Sequence, residues 1–233
     1  MIDVSAVSLD FYGTMVRSRT GRGRGATLMA YLAEQGLASD PWEHQVLYDV
    51  FAAHARDYSA QASDEEHQRS IIGFARRLFA RLRVDARPGA AEAHAEAIWH
   101  LLGPDAFELF ADVPETLRAL SEARYPLVVV SNWQCGLGQF VSDLGLGSVF
   151  RHVLASAEEG SAKPDPAMFR EAARRLGLPP ERMLHVGDTY DEDVVGAAAA
   201  GCRAALLCRD QSAPAPDVPV LTTLETLPSL LTR

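Results

Sequence analysis

Two hydrophobic rhythms divide the chain. Residues 4–9 (Val-Ser-Ala-Val-Ser-Leu) make a short run that reads as a strand ending at Asp10. From about 16 to 110 no comparable strand is evident. There, apolar positions recur every three or four residues over 26–36, 42–58, 64–82 and 90–102, in stretches rich in Ala, Leu, Arg and Glu, and they predict helices. Asp40 before Pro41, and Ser63 with Glu66 three residues on, suit amino-terminal caps, while Arg87-Pro88-Gly89 marks a turn. After Asp112 the rhythm changes. Short apolar strands at 127–130, 152–155, 183–186 and 203–208 alternate with helices over 114–123, 136–144, 166–176 and 191–200, and a strand near 219–221 and a helix near 224–231 follow. Such alternation predicts βαβ units: an α/β fold with a doubly wound, parallel, Rossmann-like sheet covered on both faces. The first strand is parted from that sheet by an inserted helical bundle.

In sheets of this kind ligands bind outside the carboxyl ends of the strands, so the residues just after each strand are the ones to inspect. They are Asp10-Phe11-Tyr12-Gly13-Thr14, Ser131-Asn132, Ser161-Ala162-Lys163-Pro164-Asp165-Pro166 and Gly187-Asp188-Thr189-Tyr190-Asp191-Glu192-Asp193. Together they suit a metal-assisted displacement. Asp10 serves either as a nucleophile or as a hard oxygen ligand, and Asp188 as a second hard ligand. A backbone carbonyl and water complete an octahedral Mg²⁺ shell. Two close carboxylates repel one another, and the ion and Lys163 are the natural counter-charges. Lys163 also neutralises an anionic substrate, and Ser131 with nearby N–H groups binds its oxygens. Gly13 permits a tight turn, and Gly13, Thr14 and Asn132 complete the expected substrate-binding rim. Singly, each has a plainer role: Ser131-Asn132 as a helix cap, Asp165 as the N-cap of 166–176, Lys163 as a surface lysine. Their joint occurrence at successive strand ends favours a site.

Composition narrows the partners. Against 22 Lys and Arg stand 31 Asp and Glu, a net charge of −9, which argues against nucleic acid or an anionic membrane and suits a site that gathers cations. No apolar run approaches ~18 residues. The amino terminus lacks a basic stretch followed by an apolar core, so no secretory signal is expected. Cys135, Cys202 and Cys208 form no C-x-x-C pair and read as free thiols in a reducing cytoplasm. The seven histidines show no ligand spacing, and His185, inside a strand, reads as a satisfied interior histidine. Trp42, Tyr48 and Phe51 read as one apolar helix face. The basic, glycine-rich segment 17–25 matches neither a P-loop nor a dinucleotide loop and reads as a hinge, with contact to an anionic substrate as the alternative. No pattern sets an oligomeric state.

The four blocks D-F-Y-G-T, V-V-V-S-N, K-P-D-P and V-G-D-T-Y-D-E-D-V-V-G-A resemble, in this order, the haloacid-dehalogenase-like hydrolase superfamily. The resemblance implies an α/β catalytic core of 1–15 and 111–233, with the inserted helices 16–110 as a mobile cap. It implies Asp10 as nucleophile, Ser131 and Lys163 as groups that position the substrate anion, and Asp188 and the Tyr12 carbonyl as Mg²⁺ ligands. Asp193 matches the final acidic position, which holds Lys163 or a metal-bound water. One departure stands out. Family phosphatases carry D-x-D in the first block, and here the second acid is Tyr12, whose phenol, with a pKa near ~10, is a poor proton shuttle. D-x-Y-G-T is how the 2-haloacid dehalogenases begin, but those work without metal, lack the acidic pattern of Asp188 and Asp193, and use a cap arginine that nothing here matches. The fourth block outweighs the first. The expected activity is Mg²⁺-dependent hydrolysis of a small phosphomonoester through an aspartyl-phosphate, with good leaving groups or a proton from Asp191. The alternatives are a 2-haloacid dehalogenase forming an aspartyl ester, and a non-catalytic binding protein that kept the fold.

Overall fold

A computed structural model describes residues 2–21, 24–37, 46–47, 49–50, 64–84, 86–133, 136–209 and 217–232. Its strands are β1 (Ile2–Asp3), β2 (Ala6–Leu9), β3 (Val16–Ser18), β4 (Phe107–Leu109), β5 (Leu127–Ser131), β6 (His152–Ala155), β7 (Met183–Gly187), β8 (Arg203–Leu207), β9 (Val220–Leu221) and β10 (Leu231–Thr232). The helices are α1 (Arg24–Glu34), α2 (Asp64–Arg81), α3 (Ala90–Leu102), α4 (Val113–Glu122), α5 (Leu137–Asp143), α6 (Ser156–Glu159), α7 (Pro166–Leu176), α8 (Gly196–Ala199) and α9 (Leu227–Leu230).

Six strands pair in parallel in the order β6-β5-β2-β7-β8-β9. β2, β5 and β7 are buried at every position, as their near-continuous apolar runs require of strands covered on both faces. The chain runs from β2 outward through β5 to β6, then returns to β7 on the other side of β2 and continues to β8 and β9. The winding direction therefore reverses at β2, and the carboxyl ends of β5, β2 and β7 lie side by side at the switch point, where open α/β sheets hold ligands. α7 supplies part of the cover. Its Met168, Phe169, Ala172 and Ala173 share one core with Ala6, Val128, Val130 and Leu154 of the strands and Val194 and Ala197 after β7. Asp165 caps α7 by accepting from the Ala167 N–H at 2.9 Å, Pro166 occupies the first turn, and Gly177 ends the helix in the left-handed region.

The chain forms two compact units, one of Met1–Arg17, Leu109–Trp133 and Phe140–Arg233, the other of Ser18–Glu108 and Gln134–Gln139. The helical unit has its own core, in which Leu28, Leu32, Phe74, Leu78, Ile98 and Leu102 are buried. Of the four chain passages between the units, those at 17–18 and 108–109 fall within β3 and β4. Among the described residues no helix is long and apolar enough to cross a membrane.

Several expectations need correction. The stretch 16–110 is not free of strands: β3 and β4 pair near its two ends, and at three residues each they are too short to show a period of two. β3 also takes Arg17 and Ser18 out of the expected hinge, and Arg19 is tied beyond it by N–H donation to Ala106 O at 2.9 Å. The helix expected over 191–200 is a π-helical turn, Tyr190–Val195, followed by α8. At the carboxyl end a 3₁₀ turn, Leu224–Thr226, precedes α9, and β10 pairs with β1. Of the expected helix 42–58 only 46–47 and 49–50 are described, and they are helical. The caps at Asp40 and Ser63, the Trp42-Tyr48-Phe51 face, Arg22, Gly23 and Cys135 lie outside the described residues.

Candidate active site

Four strand ends build the site. Asp10 follows β2, and its N–H donates to Val186 O of β7 at 2.9 Å, which fixes the start of the first loop against the neighbouring strand. Lys163, from the loop before α7, is buried, and its Nζ donates to Asp10 Oδ1 at 2.7 Å and to Asp193 Oδ1 at 2.5 Å. Asp10, Asp188 and Asp193 each offer a carboxylate oxygen within 4.8 Å of the others, a cluster that could hold a metal ion. Glycine makes this crowding possible. A Cβ on Gly13, whose φ of 82° already favours glycine, would overlap the Asp188 carboxylate, and a Cβ on Gly187 would overlap that of Asp193.

The three acids differ in their support. Asp193 is buried, and its Oδ1 accepts from Lys163 and from His185 Nε2 at 3.0 Å while its Oδ2 accepts from the Thr189 N–H at 2.9 Å. Burial opposes its charge, but the His185 hydrogen bond and the Lys163 ammonium outweigh that and hold its carboxyl well below the usual range. Burial likewise opposes the charge on Lys163, and the negative charges of Asp10 and Asp193 overcome it and raise the ammonium pKa. Asp188 stands on the exposed rim and accepts a long hydrogen bond from Thr14 Oγ1 at 3.3 Å. Desolvation first, then the charges of Asp10 and Asp193, push its carboxyl up to about 7. All three groups are hard oxygen donors, which fits Mg²⁺ rather than a soft metal.

The remaining expected residues are placed as follows. Asn132 serves the lysine. Its Oδ1 accepts from the Lys163 N–H at 2.7 Å, and its Nδ2 donates to Lys163 O and to Glu192 Oε2, each at 2.9 Å, so its amide is engaged inside the protein. Ser131 ends β5, is buried, and is in register with Ala155 of β6. Thr14 is buried against Asp188, Tyr12 is exposed and bridges to Val16, and Asp191 is exposed in the π turn.

Other residues touch the site to which the sequence reading gave no role in it; His185, read there as a satisfied interior histidine, is one. His185 touches Asp193, and Glu192 is half-buried with its pKa raised, by desolvation above all, while it accepts from Asn132. Arg209, after β8, donates to Thr14 O at 2.7 Å, pairs with Asp112 at 3.0 Å and lies 3.7 Å over the Phe110 ring. Asp112 in turn accepts from Thr223 Oγ1 at 2.9 Å and the Leu224 N–H at 2.7 Å, so the loop that carries Asp10 to Thr14 is braced from the carboxyl-terminal segment. The available signal was polar residues, Ser8 and His185, inside otherwise apolar strands, since buried polar groups require partners.

A protein-family model described as haloacid dehalogenase-like hydrolase matches residues 4–201. Haloacid dehalogenase-like hydrolase domain-containing protein 3 of Danio rerio is 33% identical over 149 residues, and the match spans 62% of this chain and 62% of the relative's length. Glyceraldehyde 3-phosphate phosphatase of Methanopyrus kandleri is 32% identical over 171 residues, 73% of this chain and 69% of that protein. Among solved structures, a 2-haloacid dehalogenase from Pseudomonas syringae is similar with a TM-score of 0.64 at 27% identity, covering 99% of this chain and 98% of that one.

Proposed function

Since the chain belongs to the haloacid dehalogenase-like hydrolase family and is thus a hydrolase, we propose that it is a Mg²⁺-dependent phosphatase acting on a small phosphomonoester. One observation carries this reading: three carboxylates crowd within 4.8 Å, two of them bound to the single ammonium of Lys163. Asp10, Asp188 and the Tyr12 carbonyl would hold Mg²⁺, which when bound offsets the negative charge on the phosphoryl oxygens. Lys163 binds one oxygen of Asp10 and leaves the other for attack. That oxygen forms a bond to phosphorus as the ester P–O bond breaks, giving an aspartyl-phosphate and the alcohol. Water then attacks phosphorus, the bond to Asp10 breaks, and inorganic phosphate departs. Lys163 and Ser131 hold the substrate oxygens through both steps. Tyr12 takes the sequence position of the family phosphatases' second acid, so the leaving oxygen takes its proton from water, and substrates with good leaving groups turn over fastest.

The helical segment 16–110 is the proposed cap that selects the substrate. Cys202 is a free thiol, which fits a reducing compartment, and the cytoplasm is the proposed location. Asp10→Asn removes the nucleophile, and turnover of p-nitrophenyl phosphate should vanish while the circular dichroism spectrum is unchanged; retained turnover rejects the covalent route. The D-x-Y start and the likeness to a 2-haloacid dehalogenase favour a second reading, in which chloride is released from 2-chloropropionate even in EDTA.

A further inference from the structure

Behind the acid cluster a row of buried polar groups continues into the sheet. Ser8 and His185 are register partners on the adjacent strands β2 and β7, so their side chains emerge side by side. Both are completely buried. Ser8 Oγ lies 2.8 Å from His185 Nδ1, and His185 Nε2 lies 3.0 Å from Asp193 Oδ1. The Phe169 ring packs against the imidazole in a T-shaped arrangement with centroids 4.8 Å apart. An ionised carboxylate only accepts, so Nε2 carries a proton and donates to Asp193, while the Ser8 hydroxyl bonds Nδ1 on the other side of the ring. The row therefore reads Ser8, His185, Asp193, Lys163, Asp10, each bonded to the next.

We propose that His185, oriented by Ser8, is a positioning residue: it fixes the Asp193 carboxylate so that Lys163 is shared between Asp193 and the nucleophile Asp10. Asp193 Oδ1 is the atom that holds Lys163, and it is also the atom that His185 holds. Without that donor, one face of Asp193 is a buried carboxylate oxygen short of a hydrogen bond, and the side chain must turn to recover one. Lys163 then loses one of the two carboxylates that fix it and is held by Asp10 alone, out of the place from which it meets the substrate oxygens. The inference rests on the phosphatase reading for its kinetic arm, since only there is Asp10 the nucleophile.

The test compares His185→Gln, whose amide nitrogen can stand in for Nε2, with His185→Leu, which keeps bulk and loses the donor, and with Ser8→Ala. With p-nitrophenyl phosphate at saturating Mg²⁺, His185→Leu should lose about 10- to 100-fold in kcat with KM within about threefold, His185→Gln should keep most of it, and Ser8→Ala should lie between. A purely structural role would not split the two His185 variants this way, so equal losses in both, or wild-type kcat in a folded His185→Leu, overturn the proposal. If His185→Leu does not fold, Ser8→Ala decides it, and an unchanged kcat there is equally fatal. A crystal structure of the folded His185→Leu or Ser8→Ala protein gives an arm independent of activity: Asp193 and Lys163 should move, and an undisturbed Asp193–Lys163 pair overturns the inference. Should the wild-type protein hydrolyse no phosphomonoester, the phosphatase reading falls, and the crystallographic arm still judges His185.

Discussion

The two units bury different kinds of chemistry. In the helical unit the interior is hydrocarbon, and the buried polar residues among those described are Ser18 and Thr27, both hydroxyl-bearing. Its charges pair at the surface, as Arg76 does with Glu92 across α2 and α3. The α/β unit has an equally apolar core, yet it also buries Asp10, Lys163, His185, Asp193 and Asp112. Withdrawing charges from water is expensive, and a pair of them is rarely better for stability than well-packed hydrocarbon. A fold that needs only to be stable has no use for such a row. Its concentration at the carboxyl ends of β2 and β7, and its absence from the described interior of the other unit, mark which unit carries the chemistry.

The contrast is tested most severely by Lys163→Met. Removing the ammonium leaves Asp10 and Asp193 uncompensated in a buried site, and the α/β unit should lose about 3–5 kcal/mol in urea denaturation, together with all turnover. Adding Asp193→Asn to Lys163→Met should restore part of that stability and none of the activity. If the single variant is as stable as wild type, the buried row is not an electrostatic unit. Leu78→Ala is the counterpart in the helical unit, where Leu78 is completely buried in the apolar core. A loss of about 2–5 kcal/mol is expected there from lost transfer energy and the cavity left behind. Calorimetric titration below the melting temperature should nonetheless find the Mg²⁺ affinity of the α/β unit unaltered.

Acidity separates two carboxylates within the α/β unit itself. Asp193 is held below the ordinary range, so its favourable contribution is complete above the unfolded-state value near ~4 and fades as the pH falls below it. Asp188 behaves in the opposite sense. With its carboxyl pushed up to about 7, the metal-free folded protein keeps a proton that the unfolded chain has already lost, so stability declines as the pH rises from about 4 to 7. A bound cation must displace that proton. Mg²⁺ affinity measured by calorimetry should therefore fall by up to about tenfold per pH unit below about 7 and level off above it, with proton release on the acidic side. A flat profile across that range would remove Asp188 from the metal site.

What could be read from the sequence differs between the units for a related reason. Helices α2 and α3 were visible because three- and four-residue spacing is a local property, and the parallel strands because runs such as Leu127 to Val130 have no polar interruption. Asp10, Lys163, Asp188 and Asp193 could be placed together because a doubly wound sheet brings successive strand ends to one edge, and the structure does bring their side chains together. Partners chosen by side-chain direction left no such trace. The Asn132 amide could equally have faced a substrate, and nothing in the order of residues shows that it grips the Lys163 backbone instead. Ser8 and His185 are 177 positions apart, and only the register of β2 on β7 makes them neighbours. The π turn at Tyr190–Val195 has the composition of an ordinary helix start, and it differs through the contacts of Asp193 with Thr189, His185 and Lys163.

The smallest effect expected belongs to the surface of the helical unit. Arg76 meets Glu92 at 2.5 Å, as close as Lys163 meets Asp193, so distance alone would rank the two pairs as equals. Their surroundings do not. The Arg76 side chain is 63% exposed and that of Glu92 35%, against 2% and 1% for Lys163 and Asp193. Water and salt screen the first pair, and holding two long side chains in one geometry offsets much of what attraction remains. Glu92 is held below the ordinary carboxylate range, by a backbone hydrogen bond first and by Arg76 second, so part of its stabilisation outlasts the loss of the arginine. Arg76→Ala should accordingly leave the melting temperature within about 3 °C of wild type, and raising the salt to about 1 M should narrow the difference further. A drop comparable with that of Lys163→Met would mean that contact distance, rather than burial, sets the worth of an ion pair in this protein, and the division between a chemical interior and a hydrocarbon one would lose its physical basis.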